Sequence, residues 1–411
     1  AMWHSIPLTL FWFVYFGSLG IFFPYFSLYL RENAGLTGTE VGLILAISPL
    51  VGMVAQPFWG QLADRTGKRG RLLALLTLAT AAGYYGVWIA SGFWAIVIAT
   101  AALALVGTAV FPMMMSVSLA LLRNEGQHAF GRVRVWGTIG YFVLVLIFPS
   151  LLSMVRVPSE INLAKISQPA LGLMFPLTAT LVFIAGLIAF FLPRAGVVAL
   201  RAARDDWREL MHNRVFIRFL LFALLANFLM NGPMWLFPLF VRSRGGDVAT
   251  IRNMWIIMLL FEIPLVLSTG SGLKRLGARG LLGVGLVVGG LRWFLSALSS
   301  DGALLFAVQA LHGVTVVGLN LGSPLYLDVV APEKLRSTAQ SILSMVAAGI
   351  AAIASNASAG WLLDHGGVNL LYFLCGACAI VLGASTWCIL PIAQGSTRNA
   401  EDMALTNDAL A

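Results

Sequence analysis

The feature that most constrains this chain is a series of twelve apolar stretches separated by short polar loops. A helix needs about 20 predominantly apolar residues to cross the hydrocarbon core of a bilayer, and each stretch reaches that length. Composition agrees, because 59% of the 411 residues are hydrophobic and only 10% are charged. We therefore predict an all-α membrane protein with twelve transmembrane helices. The predicted spans are 7–30, 40–61, 72–91, 93–122, 129–154, 169–193, 215–241, 249–270, 280–299, 302–327, 337–363 and 368–392.

The basic residues of the loops predict the orientation of the chain. If both termini are cytoplasmic, nineteen of the 26 Lys and Arg residues lie in cytoplasmic segments and six lie outside. Cytoplasmic loops are normally the richer in Lys and Arg, so both termini are predicted to be inside. This topology accounts for the net charge of +9, and no nucleic-acid partner is expected. The first apolar run is long and has no basic n-region, so it is not predicted to be a cleavable signal peptide.

Two loops of the chain carry the same pattern. The loop after the second span reads "GQLADRTGKRGRLL", and the loop after the eighth reads "GSGLKRLGARGLL". An offset of 210 positions superposes Gly67 on Gly277 and Arg69 on Arg279. Internal repeats are typical of secondary transporters, whose solute site usually lies between the repeated halves near the bilayer midplane. A chance match of short Gly and Arg patterns is the alternative.

The repeat predicts a chain of two halves. The predicted domains are a six-helix bundle at 1–193, a cytoplasmic linker at 194–214, a second six-helix bundle at 215–393 and a cytoplasmic tail at 394–411. The mixed charges and helix formers of "RAARDDWREL" predict a short surface helix in the linker.

The loop at 60–71 and several shorter motifs resemble the major facilitator superfamily. The loop is similar to the superfamily's G-x-L-A-D-R-x-G-R-R signature. The segments "GIFFPYFSLYL", "FGRVRVWGTIGY", "LRW", "LHG" and "LRSTAQS" resemble, in order, the branch of lactose permease and the related oligosaccharide, nucleoside and phenylpropionate proton symporters. The resemblance implies an alternating-access transporter of a bacterial inner membrane, surrounded by lipid and working as a monomer. It also implies a small-molecule substrate, the proton as coupling ion and no bound cofactor.

In that superfamily the loop acts as a cytoplasmic latch between the halves. The resemblance carries this role to Gly60, Asp64, Arg65, Gly67 and Arg69. Asp64 would accept hydrogen bonds from a neighbouring helix terminus or arginine. A loop that only obeys the positive-inside rule is the alternative, but it explains the basic residues and not the aspartate. The second copy has Lys274 at the aspartate position, so the two halves are not equivalent.

Three ionisable residues lie deep in predicted spans: Glu262, Arg292 and His312. An ionised side chain at the bilayer centre costs at least about 2.5–3.5 kcal/mol, so a partner or a water-filled cavity is expected. The resemblance places Arg292 and His312 at the family's proton-coupling site. Thr315 and Ser116 stand where the family's proton-carrying and sugar-binding acids align, which leaves Glu262 as the predicted proton carrier.

The chemistry of these three residues suits proton coupling. Movement of Arg292 toward or away from Glu262 would switch that carboxyl group between proton release and proton uptake. His312 would relay the proton or donate a hydrogen bond to the solute. A static structural ion pair between Glu262 and Arg292 is the alternative. The other acids lie in loops, termini or span ends; Asp364, for example, is interpreted as a topological or capping residue.

The resemblance also implies a solute site. Arg134 would bind a sugar hydroxyl, and Tyr141, two helical turns later, would stack on the sugar ring. Alternatively, Arg134 snorkels to the cytoplasmic surface and Tyr141 packs between helices. Further candidates are aromatic or polar residues inside other spans: Tyr25, Asn227, Asn231, Thr315 and Asn320. Hydrogen bonding between helices is the alternative for the asparagines.

Several function classes lack their sequence signals. The loop glycines do not form a G-x-x-x-x-G-K-[ST] phosphate loop, the histidines lack the spacing of metal ligands, and no nucleophile constellation is found. We therefore expect no enzyme, no metal site and no ATP-driven pump. The predicted function is proton-coupled import of a small polar organic solute, with a sugar or nucleoside favoured. The alternatives are import of an aromatic or other organic carboxylate, proton-driven efflux, and a transporter-like sensor that binds solute without moving it.

Overall fold

The computed structural model of this chain describes residues 2–122, 129–155, 166–192 and 207–391. Within these ranges all regular secondary structure is helical, and twelve helices are long and apolar enough to cross a membrane. The predicted all-α fold with twelve spans is therefore confirmed. The spans, numbered α1 to α12, are Ile6–Asn33, Gly38–Thr66, Arg69–Ile89, Phe93–Leu122, Ala129–Ser153, Pro169–Phe190, Arg214–Trp235, Val248–Val266, Gly272–Leu298, Gly302–Val330, Thr338–His365 and Gly367–Ala384.

Among the described residues, three shorter α-helices lie between or after these spans: Trp207–His212, Phe237–Ser243 and Thr386–Ile389. The first of them falls in the predicted linker. Residues 194–206 of that linker and 392–411, which include the predicted tail, lie outside the described residues. The cytoplasmic position of both termini and the predicted domain boundaries stay predictions.

Helix α2 shows why hydropathy alone places helix ends poorly. The second span was predicted to end at residue 61, but the helix continues to Thr66 and ends where Gly67 adopts the left-handed conformation (φ 64°). At its other end, Thr37 and Glu40 form a capping box. Polar caps and a glycine thus define the helix, whereas the apolar pattern marks only its central part.

The described contacts divide the chain into two compact units. Unit 1 comprises residues 1–200, 234–256 and 356–368. Inside it, α1 packs against α5 and α6, and α3 packs against α4 and α6. Small residues allow the closest approach: a Cβ added at Gly20 would lie 2.5 Å from the backbone oxygen of Tyr141.

Unit 2 comprises residues 201–233, 257–355 and 369–411. Here α9 packs closely against α10, because a Cβ added at Gly285 would lie 2.5 Å from the Cα of Gly318. It packs equally closely against α12, because a Cβ added at Gly290 would lie 2.7 Å from the backbone oxygen of Gly376. Glycines in the ninth span therefore permit close helix contact on two sides.

Helix α10 is irregular along much of its length. A 3-10 segment, Val308–Leu311, precedes one α-helical turn at His312–Thr315, and a π-helical segment, Val316–Leu321, follows. Short 3-10 and π segments inside α-helices occur often at functional positions. The predicted coupling residue His312 lies at such a junction.

Candidate proton-coupling and solute-binding site

A connected row of polar side chains lies inside unit 2. Glu262 on α8 has its Oε2 3.6 Å from Nε2 of His312 on α10. The other imidazole nitrogen, Nδ1, is 3.1 Å from NH1 of Arg292 on α9. Nε of Arg292 donates to Oε1 of Gln309, one turn before His312, at 2.9 Å. We call these four residues the coupling row.

Arg292 is 1% exposed, and its guanidinium is contacted on several sides. Gln309 and His312 are two of its contacts. In addition, NH2 of Arg292 donates to Sδ of Met258 at 3.3 Å, and the guanidinium carbon lies 4.1 Å from the centre of the Trp293 ring. The indole face attracts a cation, and the thioether is a weak acceptor. A buried charge is therefore held by polar and aromatic groups from three helices.

The contact with Arg292 determines the tautomer of His312. A guanidinium has five N–H donors and no acceptor, so Nδ1 of His312 must accept the hydrogen bond from NH1. A neutral imidazole that accepts at Nδ1 carries its proton on Nε2. Nε2 lies 3.6 Å from Oε2 of Glu262, so His312 lies between a carboxylate and a guanidinium.

A glycine next to the histidine allows this approach. A Cβ added at Gly313 would lie 2.7 Å from the Cα of Glu262. A larger residue there would push α10 away from α8 at the level of the row. The local sequence His312-Gly313 thus supplies both the titratable group and the space it needs.

The three predicted coupling residues are therefore brought together, with His312 between the acid and the guanidinium. Their role in proton coupling stays a prediction. Sequence reasoning missed Gln309. Its signal was an amide three residues before the histidine in an otherwise apolar stretch, "LLFAVQALHG".

The two predicted solute residues of α5 lie in unit 1. Arg134 is exposed, whereas Tyr141 is half-buried with its ring centre 5.9 Å from that of Trp255. Trp255 in turn meets Phe23 at 5.7 Å, and Phe23 meets Trp235 at 4.2 Å. Tyr141 therefore belongs to an aromatic cluster that sequence spacing did not predict.

The remaining solute candidates behave differently from one another. Tyr25 is fully buried with its ring 5.4 Å from Phe148, which is a packing environment. Asn227 donates to the backbone oxygen of Ala223 in its own helix at 2.8 Å. Asn320 is exposed.

Three candidates have buried polar atoms without a hydrogen-bond partner among the described residues. These atoms are the hydroxyl of Tyr25 in unit 1, and Oδ1 of Asn231 and the hydroxyl of Thr315 in unit 2. Thr315 lies one turn after His312, and a Cβ added at Gly289 would lie 2.9 Å from its hydroxyl. Unsatisfied buried polar atoms call for a water or a ligand, so Asn231 and Thr315 are the strongest solute candidates in unit 2.

The predicted latch forms specific contacts inside unit 1. Arg69 donates from NH2 to Asp64, and its NH1 donates to the hydroxyl of Ser116 on α4 at 2.7 Å. Ser116, at the position where the family's sugar-binding acid aligns, thus lies at the latch. A cleft of about 140 Å³ opens here, lined by Gln56, Gly60, Ala63, Asp64, Arg69, Ala109, Pro112, Met113 and Ser116. The side chain of Arg65 points outward and is exposed.

The second loop copy keeps the glycine but neither its backbone conformation nor the contacts. Gly277 has φ 66° and ψ 171°, whereas Gly67 has φ 64° and ψ 8°, so the two share only a positive φ. Arg279, which corresponds to Arg69, donates instead to the backbone oxygen of Leu390 at 3.1 Å. The repeat is therefore present in the sequence, and the change from aspartate to Lys274 goes with a different partner.

A second cluster of charged side chains lies at the opposite end of α2, and sequence reasoning did not predict its contacts. Oδ1 and Oδ2 of Asp364, at the end of α11, accept from the backbone N–H groups of Gly38 and Thr39 at 2.7 Å each. Arg31 lies 3.6 Å from the same carboxylate. Asp364 is thus a capping residue, but for the start of α2 and not for its own helix.

A neighbouring ion pair completes this region, which we call the end clamp. Oε1 of Glu32 accepts from Nε of Arg242 at 2.7 Å, and Oε2 accepts from the backbone N–H and hydroxyl of Ser167. The clamp joins the ends of α1, α2 and α11 with the helix at 237–243, all inside unit 1.

Twelve apolar helices with ionisable side chains buried inside them define a multi-pass membrane transport protein, since such residues in spans mark solute or ion pathways. A family model described as the MFS_1 like family matches residues 5–375. The chain belongs to this family of transporters, and neither the family nor its structural neighbours are enzymes.

Individual proteins that are similar to this chain are transporters as well. The maltose permease of Geobacillus stearothermophilus is 30% identical over 379 residues, which cover 90% of this chain and 91% of the permease. The probable 3-phenylpropionic acid transporter of Escherichia coli (strain K12) is 25% identical over 388 residues, covering 89% of this chain and 93% of that protein. A crystal structure of a mutant of the nucleoside transporter NupG matches with a TM-score of 0.83 at 16% identity, over 94% of this chain and 100% of that one. At that identity the structural likeness supports the fold.

Proposed function

We propose that this protein is a proton-coupled symporter that imports a small polar organic solute by alternating access, with a sugar or a nucleoside as the substrate class. It would work as a monomer in a bacterial inner membrane, with the proton as coupling ion and no bound cofactor. The observation that carries the proposal is the coupling row, in which a carboxylate, an imidazole and a guanidinium lie next to one another in that order inside apolar helices.

Exposure gives the row a direction. The side chain of Glu262 is 24% exposed and that of His312 is 14% exposed, whereas Arg292 is 1% exposed. In this proposal the proton enters the row at Glu262, the most exposed of the three side chains. While Glu262 is ionised, it attracts the Nε2–H of His312, and protonation removes that attraction. The row then changes its contacts when a proton arrives, which is the event that a symporter must link to solute movement.

The substrate class rests on aromatic and polar groups within each unit and on relatives. In unit 1, the rings of Tyr141 and Trp255 are of a kind that stacks on a sugar or a base. In unit 2, Asn231 and Thr315 have buried polar atoms without a hydrogen-bond partner among the described residues. A maltose permease is a relative at 30% identity. Each of these features favours a hydroxylated solute.

A second candidate is an organic carboxylate. The likeness to a probable 3-phenylpropionic acid transporter favours it. So does the presence of a guanidinium and an imidazole in the coupling row, because an anion could pair with either when Glu262 is protonated.

Transport by the purified full chain in proteoliposomes tests the proposal. We expect an imposed inward proton gradient to drive accumulation of labelled maltose or uridine, and a protonophore to abolish it. Accumulation of labelled 3-phenylpropionate alone would support the carboxylate candidate. Extrusion of preloaded probe under the same gradient would replace symport by proton-driven efflux.

A further inference from the structure

We propose that Gln309 is a positioning residue: its side-chain carbonyl aims the guanidinium of Arg292 at His312 and so holds the imidazole in the tautomer that faces Glu262. This inference rests on the proposed function, because it assigns a part in proton coupling to a residue outside the predicted coupling set. Gln309 itself touches neither proton carrier nor solute candidate in the contacts described above.

The orientation of the Gln309 amide is determined by its two neighbours. Nε2 donates to the backbone oxygen of Leu305 at 2.9 Å, and Oε1 accepts from Nε of Arg292 at 2.9 Å. A flipped amide would set its NH₂ donors against the Arg292 donor and its oxygen against the Leu305 oxygen. Gln309 is also 0% exposed, so water cannot substitute for either partner.

The local helix geometry makes Gln309 and His312 act on the same guanidinium. They are three residues apart, and the 3-10 segment Val308–Leu311 covers most of that interval. In 3-10 geometry the side chains at i and i+3 lie directly above one another. One turn of α10 therefore contacts two atoms of Arg292: Gln309 contacts Nε, and His312 contacts NH1.

These two contacts define the plane of the guanidinium. A planar fork held at Nε and at NH1 cannot rotate about its long axis without breaking one of the bonds. If Gln309 lost its acceptor, the guanidinium would keep its contacts with Met258 and Trp293 but would lose the contact that fixes its rotation. It could then turn away from His312, whose Nδ1 would lose the hydrogen bond that keeps it unprotonated. The imidazole could then present either nitrogen to Glu262.

The neutrality of the amide also matters. It accepts a hydrogen bond from Arg292 without cancelling the arginine's charge. The positive charge continues to act on the other end of the row, where Glu262 exchanges its proton. A carboxylate at position 309 would keep the acceptor but neutralise that charge.

Two substitutions separate positioning from simple packing. Gln309→Leu keeps the approximate size and removes the acceptor, and Gln309→Glu keeps the acceptor and adds a charge. Thr386→Val is the matched control, because Thr386 is equally buried in unit 2 and its hydroxyl donates to the backbone oxygen of Leu382, four residues earlier in the chain. All three are made in the full chain and compared with wild type.

The first readout is transport of labelled maltose, uridine and 3-phenylpropionate in proteoliposomes. For Gln309→Leu we expect proton-driven accumulation to fall by about tenfold, the factor for loss of one hydrogen bond to a charged group, while solute exchange without a gradient stays within about twofold of wild type. For Gln309→Glu we expect accumulation to persist with its pH midpoint moved upward by about one unit. Wild-type accumulation and pH dependence in Gln309→Leu would overturn the inference.

The second readout needs no solute. The midpoint of thermal unfolding is measured for the detergent-purified chain across pH 5 to 9. We expect the difference between wild type and Gln309→Leu to change with pH, and the difference between wild type and Thr386→Val to stay constant. A constant difference for Gln309→Leu would show that Gln309 contributes only packing, and it would overturn the inference. If wild type accumulates none of the three probes but this pH dependence is found, the proposed function fails and the positioning of Arg292 stands.

Discussion

The coupling row and the end clamp use the same kinds of side chain in opposite ways. In the end clamp, Glu32 contacts Arg242 directly at 2.7 Å, and both side chains are partly exposed. In the coupling row, an imidazole lies between Glu262 and Arg292, and the guanidinium is almost wholly buried. A direct ion pair near a helix end joins segments of chain. An imidazole between a carboxylate and a guanidinium makes the interaction depend on a proton, because an imidazole can take up and release one whereas a guanidinium keeps its own.

The difference also explains which region depends on precise placement. The clamp carboxylates accept from backbone N–H groups at or just before helix starts, which stabilises those starts. The row depends on one tautomer, one rotation of a guanidinium and one close helix contact at Gly313. Substitutions in the row should therefore affect coupling, whereas substitutions in the clamp should affect stability and leave coupling unchanged.

Removal of the buried cation should have the largest effect. In Arg292→Leu, Oε1 of Gln309 and Nδ1 of His312 lose their donor inside the membrane. We expect the free energy of unfolding to fall by about 3–5 kcal/mol and proton-driven uptake to fall by about a hundredfold or more. Thermal unfolding in detergent and proteoliposome uptake measure the two effects. Arg242→Leu is the matched variant in the clamp, and an equal or larger loss of uptake there would break the comparison.

Replacement of the bridging imidazole should change pH dependence more than binding. In His312→Gln, an amide can accept from Arg292 and donate toward Glu262, but it cannot take up a proton. We expect solute exchange without a gradient to stay within about threefold of wild type while the pH dependence of proton-driven uptake flattens. His365→Gln is the control, since His365 is exposed and its Nδ1 contacts the backbone oxygen of Trp361 in its own helix. An unchanged pH profile in His312→Gln would remove the imidazole from the coupling step.

Crowding at Gly313 should weaken the row without removing any of its groups. In Gly313→Ala the new Cβ would meet the backbone of Glu262, and overpacking of this kind costs about 1–3 kcal/mol. We expect a lower unfolding midpoint together with reduced proton-driven uptake. Gly302→Ala provides the comparison, because no atom lies within 4 Å of a Cβ added there. If the two alanine variants behave alike, close contact between α8 and α10 is not required.

Loss of the carboxylate at the clamp should have the smallest effect. In Asp364→Asn one side-chain oxygen becomes an amide that cannot accept from the start of α2. We expect a loss of about 0.5–2 kcal/mol in unfolding free energy, the usual range for a helix cap, and no change in the pH profile of uptake. Thermal unfolding measures the loss of stability, and uptake across pH measures the pH profile. A shifted pH profile in this variant would show that the clamp also takes part in proton coupling.

Sequence reasoning predicted the fold well, because the cost of polar backbone in lipid leaves few alternatives for twelve apolar stretches. It also predicted that Glu262, Arg292 and His312 lie together, since buried charges need partners. It placed helix ends less well, as the polar end of α2 at Thr66 shows.

Two features escaped prediction for physical reasons. The contact of Asp364 with Gly38 joins residues far apart in the chain, so only tertiary packing creates it. The role of Gln309 depends on the 3-10 turn that stacks it on His312, and no apolar pattern predicts a change of helix type inside a span. The repeat, in contrast, was visible in the sequence, and in the structure Gly67 and Gly277 share a positive φ.

The central claim is that Glu262 carries the proton, and its most direct test compares two transport modes in one variant. Glu262→Gln is assayed in proteoliposomes for proton-driven uptake and for counterflow, which requires no net proton movement. Glu209→Gln serves as control, because Glu209 and its ion-pair partner Lys334 are both exposed. The account predicts that Glu262→Gln keeps counterflow and loses uphill uptake, while the control keeps both. Uphill uptake at the wild-type level in Glu262→Gln would contradict it.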